Sequence, residues 1–225
     1  MAVPNTSTFS LQDVQTELGG VNDDLIECFS NANASGFDPT YEGSNNSLLN
    51  FRNYNHISEQ GPFLPALATD VSDLGSTWTN KDQIKNDTGS SATYSASSFM
   101  LASGSSNKLR GSDYGFSIPS GATIKGIEVL INRSPSSGGE TFTDDNIIEL
   151  VLSGTVQGTG KADASTWANG YNEVIYGSPT DMWGATLTPT NINNSGFGVQ
   201  MKIDNTNSGG GNNVFVAHIK IKIYW

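Results

Sequence analysis

The sequence predicts an all-β fold, a jelly-roll-like antiparallel β-sandwich behind a small helical N-terminal segment. The closing stretch, residues 213–225, alternates apolar and polar side chains, as a strand does when one face of its sheet is buried. From Trp78 onward, short apolar runs alternate with turn residues at fairly even spacing, which is typical of sandwiches and barrels. Charged residues make up only 15% of the chain, and the Gly, Ser, Thr and Asn in their place favour turns over long helices.

The order of these patterns predicts a docking segment at 1–55, a linker at 56–77 and a β-sandwich domain at 78–225. Gly61, Pro62 and Pro65 punctuate the middle segment, which is why we interpret it as a linker. Within the domain, the apolar alternation predicts strands at 93–102, 108–118, 123–133, 146–156, 173–176, 196–204 and 214–225. We expect the last strand to bury the apolar side chains Phe215, Ala217, Ile219, Ile221, Ile223 and Trp225.

The docking segment carries three short helical patterns. The first begins at Ser10, a good N-cap residue, and ends before Gly19, and the others cover 25–31 and about 47–54. So short a segment has too few apolar residues for an independent core. Exposed apolar patches mark interfaces, and closed symmetry commonly buries them between identical copies. We therefore expect a docking or oligomer interface at Leu11, Val14, Leu18, Leu25, Phe29, Leu48, Leu49, Phe51 and Tyr54.

Charge and cysteine content exclude several classes of partner. The net charge of −11 and the pI near 4.4 argue against nucleic acid, which requires clustered Lys and Arg. No apolar run approaches the ~20 residues of a membrane span, so we expect no membrane insertion. The beginning of the chain lacks the basic and apolar regions of a signal peptide, which predicts folding in the cytoplasm. Cys28 is the only cysteine, and we interpret it as inert packing.

Few residues suggest chemistry. His56 and His218 are the only histidines, and neither accompanies a nucleophile elbow or metal-ligand spacing. We expect His218 to be exposed on the polar face of its strand. Glu140, Asp144 and Asp145 form an acidic loop that could serve a glycosidase or bind calcium, but a solvated hairpin is the more ordinary interpretation. These patterns predict a protein that is not an enzyme and that holds no cofactor or metal.

Aromatic residues cluster between positions 167 and 183, and two interpretations stay open for them. Aromatic rings on a rigid sheet can stack on sugar rings through their apolar bodies, which would make a glycan-binding surface. Core and edge packing is the more common role of such side chains. The candidates for glycan contact are Trp167, Tyr171, Tyr176 and Trp183.

Several stretches resemble one known class of protein. The segment Phe-Ser-Ile-Pro-Ser-Gly-Ala-Thr-Ile-Lys-Gly-Ile-Glu-Val at 116–129 is similar to a segment of virion structural proteins of tailed bacteriophages, as are residues 176–184, 197–199 and 219–225. The beginning, Phe-Ser-Leu-Gln-Asp-Val at 9–14 followed by Glu-Leu-Gly at 17–19, resembles a leader found on many phage tail and fibre proteins, and Ser-Leu-Leu-Asn-Phe-Arg-Asn-Tyr at 47–54 closes that leader.

The resemblance implies a non-enzymatic bacteriophage virion structural protein. It would be an appendage, either a tail fibre or tail-associated protein or a capsid-decorating one, docked on the particle through its N-terminus. Its location would be the virion, after synthesis in the host cytoplasm, and its partners would be other virion proteins. By analogy with phage fibres we expect a homo-oligomer, with a trimer first. The alternative is a carbohydrate-binding or receptor-binding module on the virion that engages host surface glycans through the aromatic residues.

Overall fold

The computed structural model describes residues 2–19, 24–32, 36–44, 46–88, 90–95, 104–135, 143–205 and 213–225. The chain divides into two compact units, Met1–Ser58 and Glu59–Trp225. Among the described residues, no helix is both long and apolar enough to span a bilayer.

The N-terminal unit contains helix α1 at Leu11–Glu17, helix α2 at Leu25–Asn31 and a 3-10 turn at Leu48–Phe51. Helix α1 begins at Ser10, whose hydroxyl accepts the Asp13 N–H, while the Asp13 carboxylate accepts the Ser10 N–H at 2.6 Å. Helix α2 begins at Asp24, which accepts the Glu27 N–H at 2.9 Å. These caps occupy N–H groups that lack partners inside the first helical turn, which is why the helices begin at the predicted residues.

The N-terminal unit has an apolar core of its own, contrary to the expectation that so short a segment lacks one. Its rings pack closely, since the centroids of Phe29 and Phe51 lie 4.5 Å apart and those of Phe37 and Tyr54 lie 4.8 Å apart. These rings are scattered along the sequence, so a count of apolar residues did not reveal that they converge. The buried members of this core are Val3, Phe9, Val14, Cys28, Phe37, Phe51 and Tyr54.

The predicted docking residues are divided between this core and the surface. Val14, Phe51 and Tyr54 are fully buried within the unit, so their side chains cannot form a docking surface while it stays folded. Leu49 is 54% exposed, and Ile26 of helix α2 is 79% exposed. The other predicted residues pack partly buried against the core, namely Leu11, Leu18, Leu25, Phe29 and Leu48.

The second unit confirms the predicted antiparallel β-sandwich. Its strands are β1 Glu59–Phe63, β2 Leu67–Val71, β3 Trp78–Thr79, β4 Ala92–Ser95, β5 Gly104–Ser105, β6 Lys108–Ser112, β7 Gly126–Pro135, β8 Thr143–Leu152, β9 Thr155–Gln157, β10 Asn172–Ser178, β11 Phe197–Asn205 and β12 Asn213–Tyr224, with a short helix α3 at Pro189–Ile192. The first sheet has the order β10-β7-β12-β4-β3, and β1 also pairs with β12. The second has the order β2-β6-β11-β8-β9, and β5 also pairs with β11. The chain crosses repeatedly between the sheets, in the expected jelly-roll-like manner.

The predicted linker contains two strands of the sandwich. Strand β1 pairs with the end of β12, with Glu59 opposite Tyr224, and strand β2 pairs with β6, with Leu67 opposite Ser112. Pro62 misled the prediction because proline lacks the N–H that a central strand needs. Among the described strands β1 pairs with β12 alone, and an edge strand tolerates a proline.

One predicted strand, 146–156, is instead a hairpin. Strands β8 and β9 pair antiparallel around Ser153 and Gly154, with Leu152 opposite Thr155. Both turn residues have positive φ, as the tightest hairpin turns require. The second half of the predicted strand 93–102 lies outside the described residues.

A bulge in β12 changes which of its side chains are buried. The pairing of β12 with β7 shifts register between Val216 and His218, which makes Ala217 the extra residue. Before the bulge the core receives Val214 and Val216, where alternation from the chain end predicted Phe215 and Ala217. After it the core receives Ile219, Ile221 and Ile223, as predicted.

Candidate functional site

Three polar side chains lie in one row across the outer face of the first sheet. Glu173 on β10 is paired with Asn132 on β7, and Asn132 is paired with His218 on β12. Asn132 faces outward because its neighbours in the alternation, such as Ile131, face the core. His218 would face the core if the alternation of Val214 and Val216 continued, so the bulge at Ala217 is what turns it outward.

His218 connects two carboxylates in an arrangement that we call the histidine bridge, Glu173–His218–Asp87. The ring Nε2 lies 2.7 Å from Glu173 Oε2, and Nδ1 lies 3.1 Å from Asp87 Oδ1. The side chain of His218 is only 4% exposed, whereas those of Asp87 and Glu173 are 59% and 41% exposed. The expectation of an exposed histidine was wrong, because its partners cover it.

A lysine also contacts the histidine bridge. Lys220 Nζ donates to Asp87 Oδ2 at 2.7 Å. This hydrogen bond and the charge of Lys220, together with the charge of His218, lower the pKa of Asp87. Asp87 is therefore an ionised acceptor at neutral pH, and most of its side chain faces solvent.

A cavity of about 250 Å³, which we call the outer groove, adjoins the bridge and is lined by Asn86, Asp87, Asn132, Tyr171 and Ala217. Tyr171 is 52% exposed, and its hydroxyl shares a hydrogen bond of 2.7 Å with Ser91. Its ring centroid lies 6.4 Å from that of Phe215, which the bulge has left outside the core. The buried amide oxygen of Asn132 accepts no hydrogen bond from any described residue.

The outer groove offers an aromatic ring beside several hydrogen-bond acceptors. This combination can hold a ligand that has both an apolar face and hydroxyl donors. General acid catalysis of glycoside cleavage needs a carboxyl group whose pKa is raised. The pKa of Asp87 is lowered, which is the opposite condition.

Of the four aromatic candidates, only Tyr171 can touch a ligand. The side chains of Trp167, Tyr176 and Trp183 are buried, so for them packing is the correct interpretation. The Trp183 indole donates to the Ile127 carbonyl at 2.9 Å. Of the four rings expected to contact a glycan, one lines the outer groove, and the residues beside it come from segments distant in sequence.

Trp167 and Tyr176 belong to a buried group that we call the arginine cluster, Arg133–Asp145–Trp167–Tyr176. Asp145 pairs with Arg133 and accepts hydrogen bonds from Trp167 Nε1 at 3.0 Å and from the Tyr176 hydroxyl at 2.7 Å. The Arg133 guanidinium lies over the Trp167 ring at 4.3 Å. Burial and the charge of Asp145 raise the pKa of Tyr176. Every member of this cluster has partners inside the protein.

The acidic loop predicted at 140–145 is therefore not a solvated hairpin throughout. The side chain of Asp145 is 0% exposed. Asp144 is partly buried, and its pKa is raised first by that burial and then by the charges of Asp204 and Asp145. Glu140 lies outside the described residues. Within the described part of the chain, no group of three or more His, Cys, Asp or Glu residues is arranged to hold a metal ion.

Comparisons of the sequence with known families and curated proteins found no match. Among solved structures, an arabinose-bound GH51 α-L-arabinofuranosidase is 12% identical with a TM-score of 0.40, over 71% of this chain and 23% of that one. A CBM4 structure is 8% identical with a TM-score of 0.35, over 72% and 94%. The module TmCBM61 in complex with β-1,4-galactotriose is 9% identical with a TM-score of 0.33, over 74% and 86%. These values are too low to assign a function.

Proposed function

We propose that the sandwich unit is a non-enzymatic carbohydrate-binding module and that the outer groove is its glycan site. The observation that carries this proposal is the half-exposed ring of Tyr171 beside the acceptors Asp87 and Asn132. A sugar presents an apolar C–H face that packs on such a ring and hydroxyl groups that donate to such acceptors. The amide oxygen of Asn132 accepts no hydrogen bond from a described residue, so it is available to a ligand hydroxyl.

The charges around the groove favour an uncharged glycan. Asp87 is already paired with Lys220, and both Asp87 and Glu173 contact His218. An acidic sugar would bring another carboxylate beside these two and would find Lys220 already engaged. The cavity of about 250 Å³ lies below the ~300–1,000 Å³ of a typical ligand pocket. We therefore propose that it receives a short part of a neutral glycan rather than a long chain segment.

The test is binding of the purified protein to a panel of neutral and acidic oligosaccharides, followed by calorimetry on the best ligand. Replacing Tyr171 by Ala removes the ring and should weaken binding about tenfold. The matched control, Tyr171→Phe, keeps the ring and loses only the hydroxyl, so it should retain most of the affinity. Wild-type affinity in Tyr171→Ala, or a preference for acidic glycans, would contradict the proposal.

A second proposal concerns the N-terminal unit. We propose that it docks the protein on a bacteriophage particle, as a tail-associated, fibre or capsid-decorating appendage that forms a homo-oligomer. Supporting observations are the exposed apolar side chains of Ile26 and Leu49 on a unit that already has its own core. The two proposals are compatible, since an appendage can carry a unit that binds host surface glycans.

Incorporation into phage particles tests the docking proposal with a matched pair of variants. Leu49→Asp changes an exposed side chain and should leave the unit folded but prevent incorporation and oligomer formation. Phe51→Asp places a charge in the buried core and should unfold the unit, so it reports folding rather than docking. Normal incorporation of Leu49→Asp together with Ile26→Asp would contradict the proposed surface.

A further inference from the structure

The hydrogen atoms of the histidine bridge can be assigned from its geometry. Ionised carboxylates only accept hydrogen bonds. Glu173 Oε2 lies 2.7 Å from one ring nitrogen of His218, and Asp87 Oδ1 lies 3.1 Å from the other. While both carboxylates are ionised, both ring nitrogens must donate, and the ring is then an imidazolium.

The surroundings of the ring support this charge. The two carboxylates lie at opposite nitrogens of a buried ring, where each needs a donor from that ring. Lys220 keeps Asp87 ionised, as described above, so the proton in the Asp87 contact belongs to the ring. The groups arranged around His218 are Glu173 of β10, the uncharged Asn132 of β7, Asp87, Lys220 of its own strand, and Tyr171 and Asn86 of the adjoining groove.

We propose, on the basis of the glycan-binding function above, that His218 is a positioning residue whose proton holds Asp87 and Glu173 in place beside the groove. The outer groove then binds its glycan while His218 is charged, and binding weakens as the pH rises and the ring loses its proton. A neutral ring has one donor and one lone pair, so one of the two carboxylates would face that lone pair and be repelled. That carboxylate leaves its position, and the net charge beside the groove becomes more negative by one unit.

The first arm of the test needs no ligand. Nitrogen-15 NMR of the full chain reports the protonation of both ring nitrogens across roughly pH 5 to 8, where histidine changes charge. His218→Gln identifies the signals, and His56→Gln, at the other histidine, is the matched control. We expect a doubly protonated His218 ring at the acidic end and shifts of the Asn132 and Ala217 amides that follow its titration. These shifts should vanish in His218→Gln and persist in His56→Gln.

The second arm measures affinity for the neutral oligosaccharide that the wild-type protein binds best in the panel. From about pH 5 to about pH 8 the affinity should fall about tenfold, the order of magnitude of one charge-assisted hydrogen bond. His218→Gln should vary less than about twofold over that range, and His56→Gln should behave as the wild type.

The two arms separate failure of this inference from failure of the glycan proposal. Two NMR results would overturn the role of His218 whether or not a glycan binds. One is a ring with only one protonated nitrogen at the acidic end, and the other is a set of groove amide shifts that do not follow the titration of the ring. Glycan binding that is independent of pH in the wild type would also overturn it. A protein that binds no glycan refutes the proposed function, and the NMR arm then decides the role of His218 alone.

Discussion

The sandwich contains two polar clusters with similar components and opposite exposure. In the arginine cluster, Asp145 is fully buried and is held by Arg133, Trp167 and Tyr176. In the histidine bridge, the His218 side chain is buried but its carboxylate partners, Asp87 and Glu173, are about half exposed. The first cluster therefore has no accessible group for a ligand, whereas the second presents acceptors beside a cavity.

The identity of the cation adds to this difference. Arginine stays charged at every pH that a protein tolerates, and its planar donors suit a buried carboxylate. Histidine changes charge near neutrality. A permanent cation enclosed by partners stabilises one conformation, while a titratable cation between exposed acceptors makes a site that responds to its surroundings. Four predictions test this contrast, in order of decreasing expected effect.

Asp145→Ala should produce the largest loss of stability. It leaves the guanidinium of Arg133 buried without its carboxylate, and breaking a buried pair in this way costs about 3–5 kcal/mol. The free energy of unfolding from urea denaturation measures the effect. Asp87→Ala is the matched control in the open cluster and should cost far less, because solvent screens an exposed pair. Similar losses in the two variants would remove the distinction between the clusters.

Alkaline pH should act on the arginine cluster through Tyr176. Its pKa is raised in the folded protein, so its stabilising contribution is complete below the unfolded value of about 10 and is lost as the pH rises above it. Above that value each such tyrosine lowers the free energy of unfolding by ~1.4 kcal/mol per pH unit. In Tyr176→Phe, urea denaturation at several alkaline pH values should give a free energy of unfolding that falls less steeply with pH, because the contribution of one tyrosine is missing. An unchanged slope would show that the hydroxyl is accessible to ionisation.

Glu173→Gln should have a modest effect on stability. The carboxylate is about half exposed, and such pairs contribute about 1 kcal/mol or less. Thermal denaturation at neutral pH should show a single transition close to that of the wild type. Unfolding as severe as that of Asp145→Ala would mean that the bridge supports the fold in the way the buried cluster does.

The smallest expected effect is the loss of stability in acid that comes from protonation of Asp87. Its pKa is lowered in the folded protein, so its contribution is present above the unfolded value of about 3.9 and is lost as the pH falls through the folded value. The contribution is small because solvent screens an exposed pair. The free energy of unfolding, measured between about pH 5 and pH 2, should fall slightly less steeply with decreasing pH in Asp87→Asn than in the wild type. Identical curves would show that Lys220 does not hold Asp87 in solution.

Local patterns predicted the fold class and the beginnings of the helices. Alternation along β11 and along the second half of β12 reports burial directly, because the side-chain period of a strand is two. The caps at Ser10 and Asp24 were readable because a cap depends on residues within one turn. Of the candidate glycan contacts only Tyr171 lines the groove. The sequence did not distinguish it from the other three, because aromatic residues are common both in buried cores and at binding sites.

The sequence by itself determined that the chain makes a β-sandwich and which faces of most strands are apolar. The tertiary structure decided the site. Asn132, Glu173 and His218 form one row through the pairing register of three strands, and the bulge at Ala217 turns the histidine out of the core. Register and bulges depend on contacts between distant segments, and a shift of one residue moves every side chain to the other face. Packing of one sheet on the other places Asp145 of β8 against Arg133 of β7, so that one acidic residue is enclosed while Asp87 stays open to solvent.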